Sequence, residues 1–241
     1  MDVYGRTPLY GYTIGILVNE GYFPRLPGAL GNATTFPFPV LQKVVRGATG
    51  EGVVRNPSEE IIASYIRGAQ ELEMEGVKAI TTSCGFTAMF QEELAEAVDI
   101  PVFASSLLLV PLISRMLKPK HLVGIVTADA TNITQRHFDG VGINPAQVVV
   151  AGMEESPEFE DVVFHDKHEL NVTRMEEEVV GVAKKLVTQN SQVRAILLEC
   201  SLLPPFAKAV QEATRLPVFD FTTLVNMVHS SFVRKSFDGY L

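Results

Sequence analysis

Short apolar runs recur along this 241-residue chain, and amphipathic stretches fall between them. Residues 13–18 (TIGILV) form the first such run and predict a strand. Residues 21–38 carry Gly, Pro, Asn and aromatics without a period. They predict a long loop, of a kind that often lies over a binding site. Ser58 is placed to cap a helix whose apolar face carries Ile61, Ile62, Ala69 and Leu72 and which ends near Gly76. A strand over 78–82 leads into Cys84. A helix over 88–98, a strand over 102–104 and a helix over 106–117 follow, the last with Pro111 as a kink or early break.

The pattern then restarts. Residues 122–127 (LVGIVT) repeat the first run, with Gly124 matching Gly15. A helix near 132–138, a strand over 147–150 and a helix over 176–187 follow, with Val179, Val180, Ala183 and Leu186 on one face of the latter. A strand over 195–198 precedes Cys200, and a helix over 205–214, a strand over 218–220 and a closing helix over 223–236 complete the copy. Strands alternating with helices predict an α/β protein with mainly parallel sheets covered on both faces. The repeat predicts two pseudo-symmetric, Rossmann-like domains: residues 1–117 with 225–241, and residues 118–224.

The strongest match between the copies surrounds the only two cysteines. Residues 77–108 and 193–224 align without a gap at an offset of 116, which sets Cys84 on Cys200 and Pro101 on Pro217. Each cysteine follows a strand and precedes a helix start. In open parallel sheets ligands bind at such turns. Backbone N–H groups at a helix start can hold a carboxylate or an enolate oxygen, and the same field lowers the pKa of a thiol beside it. Free cysteine is also among the most buried residue types, but small polar neighbours (Thr82, Ser83, Gly85, Ser201) suit a turn near a ligand better than a sealed core.

Composition narrows the field. Hydrophobic residues at 46% and charged residues at 20% fit an ordinary globular protein, and a net charge of −8 speaks against nucleic-acid or anionic-membrane partners. The longest apolar stretch, 107–113, is far too short to span a bilayer, and residues 1–21 lack the marks of a secretory signal. A cytoplasmic location is expected, and with it reactive or core thiols rather than a structural disulfide.

Thr82-Ser83-Cys84-Gly85, Leu198-Glu199-Cys200-Ser201 and the 19–39 segment together resemble the aspartate/glutamate/hydantoin racemase superfamily. The resemblance implies an active site between the two domains, a last helix packed on the first domain, no cofactor, and Cys84 and Cys200 as acid/base thiols that move a proton across a carbon. The expected function is a cofactor-independent racemase or epimerase of a small carboxylate. Three features depart from the amino-acid racemases: Gly85-Phe86 stands where Asn-Thr is common, Ser201 where Thr is common, and Leu202 where glutamate racemases carry His. The pair of cysteines argues against the single-cysteine arylmalonate decarboxylases. Maleate-isomerase-like cis–trans isomerisation through a cysteine nucleophile stays open, as does a non-catalytic small-acid binding protein.

The expected substrate contacts are Asn19, Ser83, Gly85, Phe86, Thr87, Thr127, Ser201 and Leu202. Arg25 could clamp a carboxylate from the long loop or simply face solvent. Glu199 could tune Cys200, but strand alternation sends it to the opposite face. His165, Asp166 and His168 lack the ligand spacing of a metal site and read as a surface loop. The last helix could offer a dimer face, so a homo-oligomer stays open, although such apolar positions are more often core.

Overall fold

The apolar runs become the central strands because both of their faces are covered. β1 (Ile14–Asn19) is buried at all six positions, and it pairs in parallel with β2 (Val40–Val45) on one side and β3 (Ala79–Thr82) on the other. The computed structural model describes residues 5 and 7–239. The outermost residues of the expected domains, 1–4, 6, 240 and 241, lie outside the described residues.

Between β2 and β3 run α1 (Gly50–Val54) and α2 (Glu59–Glu75). Ser58 caps α2 by accepting the Ile61 N–H, and Gly76 ends it in the left-handed region at φ 102°. After β3 the chain makes a 3-10 turn, Gly85–Phe90, then α3 (Gln91–Glu96) and α4 (Leu109–Met116). Pro111 falls in the first turn of α4, where its missing N–H has no intrahelical partner to lose, so it neither kinks nor ends the helix. The strand expected over 102–104 is reduced to one parallel bridge, Ile80 with Val102.

The second half repeats this plan. β4 (Leu122–Thr127) leads to α5 (Gln135–Asp139), β5 (Val148–Gly152), α6 (Pro157–Val163), α7 (Val172–Gln189), β6 (Val193–Leu198), α8 (Ala207–Thr214) and β7 (Val218–Phe219). Every pairing is parallel, in the orders β2-β1-β3 and β5-β4-β6-β7. The offset of 116 carries the Ile80–Val102 bridge onto the Ile196–Val218 pair of β6 and β7, so the two sheets are ordered alike. The matched glycines serve the same purpose in both copies. A Cβ at Gly15 would stand 3.0 Å from Leu72 of α2, and one at Gly124 2.7 Å from Leu186 of α7, so each glycine lets a long helix lie close on its sheet.

A continuous core joins the halves. Ile14, Ile16 and Val18 of β1 share one buried cluster with Val123 and Ile125 of β4, Ala195 and Leu197 of β6, and apolar residues of α4. The closing helix α9 (Phe221–Phe232) adds Phe221, Leu224 and Val225 to this cluster and stacks His229 on Phe38 at 3.5 Å. Among the described residues no helix is long and apolar enough to cross a membrane.

Candidate active site

Both thiols sit where β3 and β6 run out. The N–H of Ser83 donates to Leu17 O and that of Glu199 to Val126 O, each at 2.8 Å, which are the last rungs of two equivalent ladders. One residue later the chain turns. Cys84 precedes the 3-10 turn Gly85–Phe90, and Cys200 precedes a shorter one, Pro204–Phe206. Ser201 Oγ stitches the two turns directly by donating to Ser83 O at 2.6 Å, and Ser106 Oγ, just before α4, donates to Glu199 O at 3.2 Å. Cys84 and Cys200 are free thiols, each 8% exposed, and both line one tight cavity of about 30 Å³, room for one or two waters.

The loop between β1 and β2 forms a strap over this cavity. Its own Ala29, Leu30 and Phe36 are buried and anchor it, and the Tyr22 N–H reaches the second half at Asp166 Oδ1, 2.7 Å away. The strap carries Arg25 into the cavity wall. Its guanidinium donates to Asn19 O at 2.9 Å and lies over the Phe23 ring at 4.5 Å. Burial lowers its pKa, with Cys200 and Asp166 acting the other way. It is therefore a partly desolvated cation facing the second thiol, and not a solvent-facing loop residue.

The surroundings of the sulfurs differ. Cys84 faces the N–H groups of Phe86 and Thr87 and the side chain of Asn19. Tyr65, on α2, donates its hydroxyl to Asn19 Oδ1 in a short hydrogen bond, which leaves the amide nitrogen to face the sulfur. Cys200 faces the Leu202 N–H, with Arg25 acting on it by charge. Burial pushes Cys84 up to about 12, helped by the charge of Glu199, and pushes Cys200 well above the usual thiol value for the same two reasons. The expectation of thiols made acidic by a helix field is therefore corrected: the helix starts are 3-10 turns, and desolvation outweighs their N–H groups.

Of the expected contacts, Asn19, Ser83, Gly85, Phe86, Ser201 and Leu202 line the cavity with both cysteines. Thr87 and Thr127 do not. Thr87 is sealed behind the turn, its hydroxyl donating to Cys84 O at 2.6 Å, and Thr127 is sealed behind Glu199, donating to Oε2 at 2.8 Å. The position equivalent to Asn19 is Ala128, because the offset of 109 that sets Gly15 on Gly124 also sets Asn19 on Ala128. Ala128 does line the cavity.

The sequence of residues 41–226 matches the profile of the Asp/Glu/Hydantoin racemase family. The chain belongs to that family. Two curated relatives of this racemase-family chain are lyases. A dimethylsulfoniopropionate lyase of Durusdinium sp. clade D is 30% identical over 228 residues, covering 92% of this chain and 75% of its own length. Dimethylsulfoniopropionate lyase 7 of Emiliania huxleyi is 30% identical over 224 residues, covering 89% of this chain and 65% of its own. The glutamate racemase RacE1 of Bacillus anthracis shares the fold at a TM-score of 0.61 and 14% identity, over 92% of this chain and 81% of that one.

Within this racemase-family site, Glu199 is the residue that strand alternation misplaces. β6 ends at Leu198, and the turn brings the Glu199 side chain into the cavity wall. There it is fully buried, Oε2 also accepts the Ala128 N–H at 3.3 Å, and burial raises its pKa to about 7 against the pull of those two donors. The signal that finds it is the 116 offset, which pairs Glu199 with Ser83. Ser83 Oγ likewise accepts the Asn19 N–H, at 2.9 Å. No group of three or more His, Cys, Asp or Glu among the described residues is placed to hold a metal.

Proposed function

We propose that this protein is a cysteine-dependent lyase. In this reading Cys84 takes the proton α to the carboxylate of a small acid, and a substituent on the β carbon leaves. The observation that carries the reading is the unequal setting of the two sulfurs. The Phe86 and Thr87 N–H groups and the Asn19 amide favour a thiolate at Cys84, whereas at Cys200 the Leu202 N–H and the charge of Arg25 do so. Racemisation in both directions needs two groups of similar acidity, whereas elimination needs one base. The electron pair of the broken C–H bond closes the Cα=Cβ double bond, and the leaving group departs with the electrons of its own bond. Arg25 holds the substrate carboxylate and the charge that builds on it, a donor role worth about 3–4 kcal/mol of barrier by analogy with oxyanion holes.

The lining also favours a zwitterion. Arg25 offers a cation to a carboxylate, while the carboxylate of Glu199 suits a positive group at the other end. Dimethylsulfoniopropionate, named by the relatives, has this form: a carboxylate at one end and a sulfonium on the β carbon. The cavity is smaller than such a molecule, so entry requires the strap to lift.

A second reading is two-base racemisation or epimerisation. It is favoured by the exact equivalence of the two cysteine positions under the repeat. Proton NMR in D2O separates the readings. A lyase releases dimethyl sulfide and acrylate from dimethylsulfoniopropionate, or an alkene acid from another β-substituted propionate. A racemase exchanges the α proton of a chiral acid without loss of any group. Neither event with any member of a panel of amino acids, hydantoins and β-substituted acids, with ligand binding intact, would instead identify a small-acid binding protein.

A further inference from the structure

Among the described residues only two buried side-chain atoms lack a hydrogen-bond partner, His137 Nε2 and Glu199 Oε1. His137 packs edge-on against Phe86 outside the cavity lining, at 4.9 Å between ring centres. Glu199 is different, because its wall position sets it between the two thiol turns. Oε2 is pinned by Thr127 Oγ1 and the Ala128 N–H, which fixes the carboxyl plane. Oε1 then occupies the space a side chain at Gly85 would fill, 1.9 Å from where its Cβ would stand and next in sequence to Cys84. An unpaired buried carboxylate oxygen is costly unless a proton is at hand.

We propose that Glu199 shares one mobile proton with the thiols across the cavity that all three line, and that relaying this proton from Cys84 Sγ to Glu199 Oε1 through a cavity water makes the thiolate. The S–H bond breaks, an O–H bond forms, and the negative charge passes from carboxylate to sulfur. No proton enters or leaves the protein. The new thiolate meets the Phe86 and Thr87 N–H groups and the Asn19 amide, and the new carboxylic acid relieves the like charge that Glu199 places on both sulfurs. Other groups facing the cluster keep fixed charges. Arg25 on the strap faces Cys200, Tyr65 on α2 faces Cys84 through Asn19, and Glu20 at the rim is already bound to Arg46 and the Gly47 N–H. Glu199 acts through Cys84 and is a positioning residue in this scheme.

A shared proton has a signature. Thiol with carboxylate and thiolate with carboxylic acid hold the same number of protons, so their ratio does not change with pH. The thiolate fraction therefore climbs with pH until Glu199 titrates and then levels off.

This deepens the lyase reading, yet it can be read without any substrate. Failure to turn over a given acid therefore leaves it standing. The experiment is the rate of Cys84 alkylation by iodoacetamide, with the modified peptide located by mass spectrometry, from pH 5.5 to 9.5. The wild-type rate should rise about tenfold per pH unit at first and break to a plateau near neutrality. In Glu199→Gln the plateau should vanish, and the rate should exceed wild type by about tenfold or more at pH 8.5. A wild-type rate that climbs without a break, or superimposable profiles in the two proteins, overturns the proposal. If Glu199→Gln fails to fold, Thr127→Val takes its place. Losing that donor raises the Glu199 pKa, so the break should move to higher pH, and an unmoved break overturns the proposal.

Discussion

Replacing Gly85 by alanine tests the geometry on which the site depends. The backbone at Gly85 lies outside the left-handed region, so alanine is admissible there conformationally and the cost is purely spatial. The added Cβ would stand 1.9 Å from Glu199 Oε1, 2.4 Å from Cδ and 2.6 Å from Cγ. The carboxylate can clear it only by giving up its bonds from Thr127 and Ala128. Overpacking a buried site costs about 1–3 kcal/mol, and a buried acceptor stripped of donors costs about 1–3 kcal/mol more. The expected loss is about 2–4 kcal/mol, since the two costs are alternatives in part. Urea denaturation monitored by circular dichroism measures it, with Glu199→Ala and the double variant completing a cycle. In the Glu199→Ala background the space is empty, and alanine at 85 should cost under about 0.5 kcal/mol. A Gly85→Ala protein as stable as wild type, or additive effects in the double variant, would refute the placement of Glu199.

Three further outcomes follow from the same contacts. Arg25→Gln should raise KM for an acid substrate by about ten- to a hundredfold, by loss of a charge-assisted pair of about 1.5–3 kcal/mol, and steady-state kinetics checks it. Arg55 joins the halves by donating Nε to Asp129 Oδ2 at 2.9 Å and a fork to Glu160 at 2.8 and 2.9 Å. Arg55→Ala should cost about 2–3 kcal/mol, below the usual range for breaking a buried pair, because Thr131 and Asn132 still reach Asp129; thermal denaturation reads it. Burial would raise the Asp129 pKa, but the bonds from Thr131, Arg55 and Asn132 more than offset it and hold the group below its usual value. Asp129 thus contributes stability above the unfolded carboxyl value near about 4 and loses it as pH falls through the lower folded value. Acid unfolding should therefore begin at higher pH in Arg55→Ala than in wild type.

The parts of this molecule that repeat are the parts legible in its sequence. TIGILV and LVGIVT announce two central strands because both faces are buried and nothing polar interrupts them. Ser58 and Gly76 mark the ends of α2 because capping is a local matter. β2 has no counterpart among the predicted elements because VLQKVV is an edge strand. Its Gln42 and Lys43 face half-solvent, Lys43 pairs with Glu71 and Glu75, and no period of two survives. α1 and α6 are five and seven residues long, too short for a helical period to show. At the site, Cys84, Cys200 and their neighbours follow from the repeat. Glu199 and Ala128 required a further step, since the offset is 109 for the first strand of the repeat and 116 for the third, and only the paired strands show which residues meet. Arg25 reaches the cavity through a loop fold that no local pattern encodes.

The central claim is that Cys84 is the base that opens the C–H bond α to a carboxylate. Proton NMR in D2O with dimethylsulfoniopropionate, on wild type and on folded Cys84→Ala and Cys200→Ala, addresses it most directly. The account predicts alkene acid and dimethyl sulfide from wild type, a fall of about a thousandfold or more in Cys84→Ala, and a smaller fall in Cys200→Ala. Undiminished elimination or α-proton exchange in Cys84→Ala would contradict it.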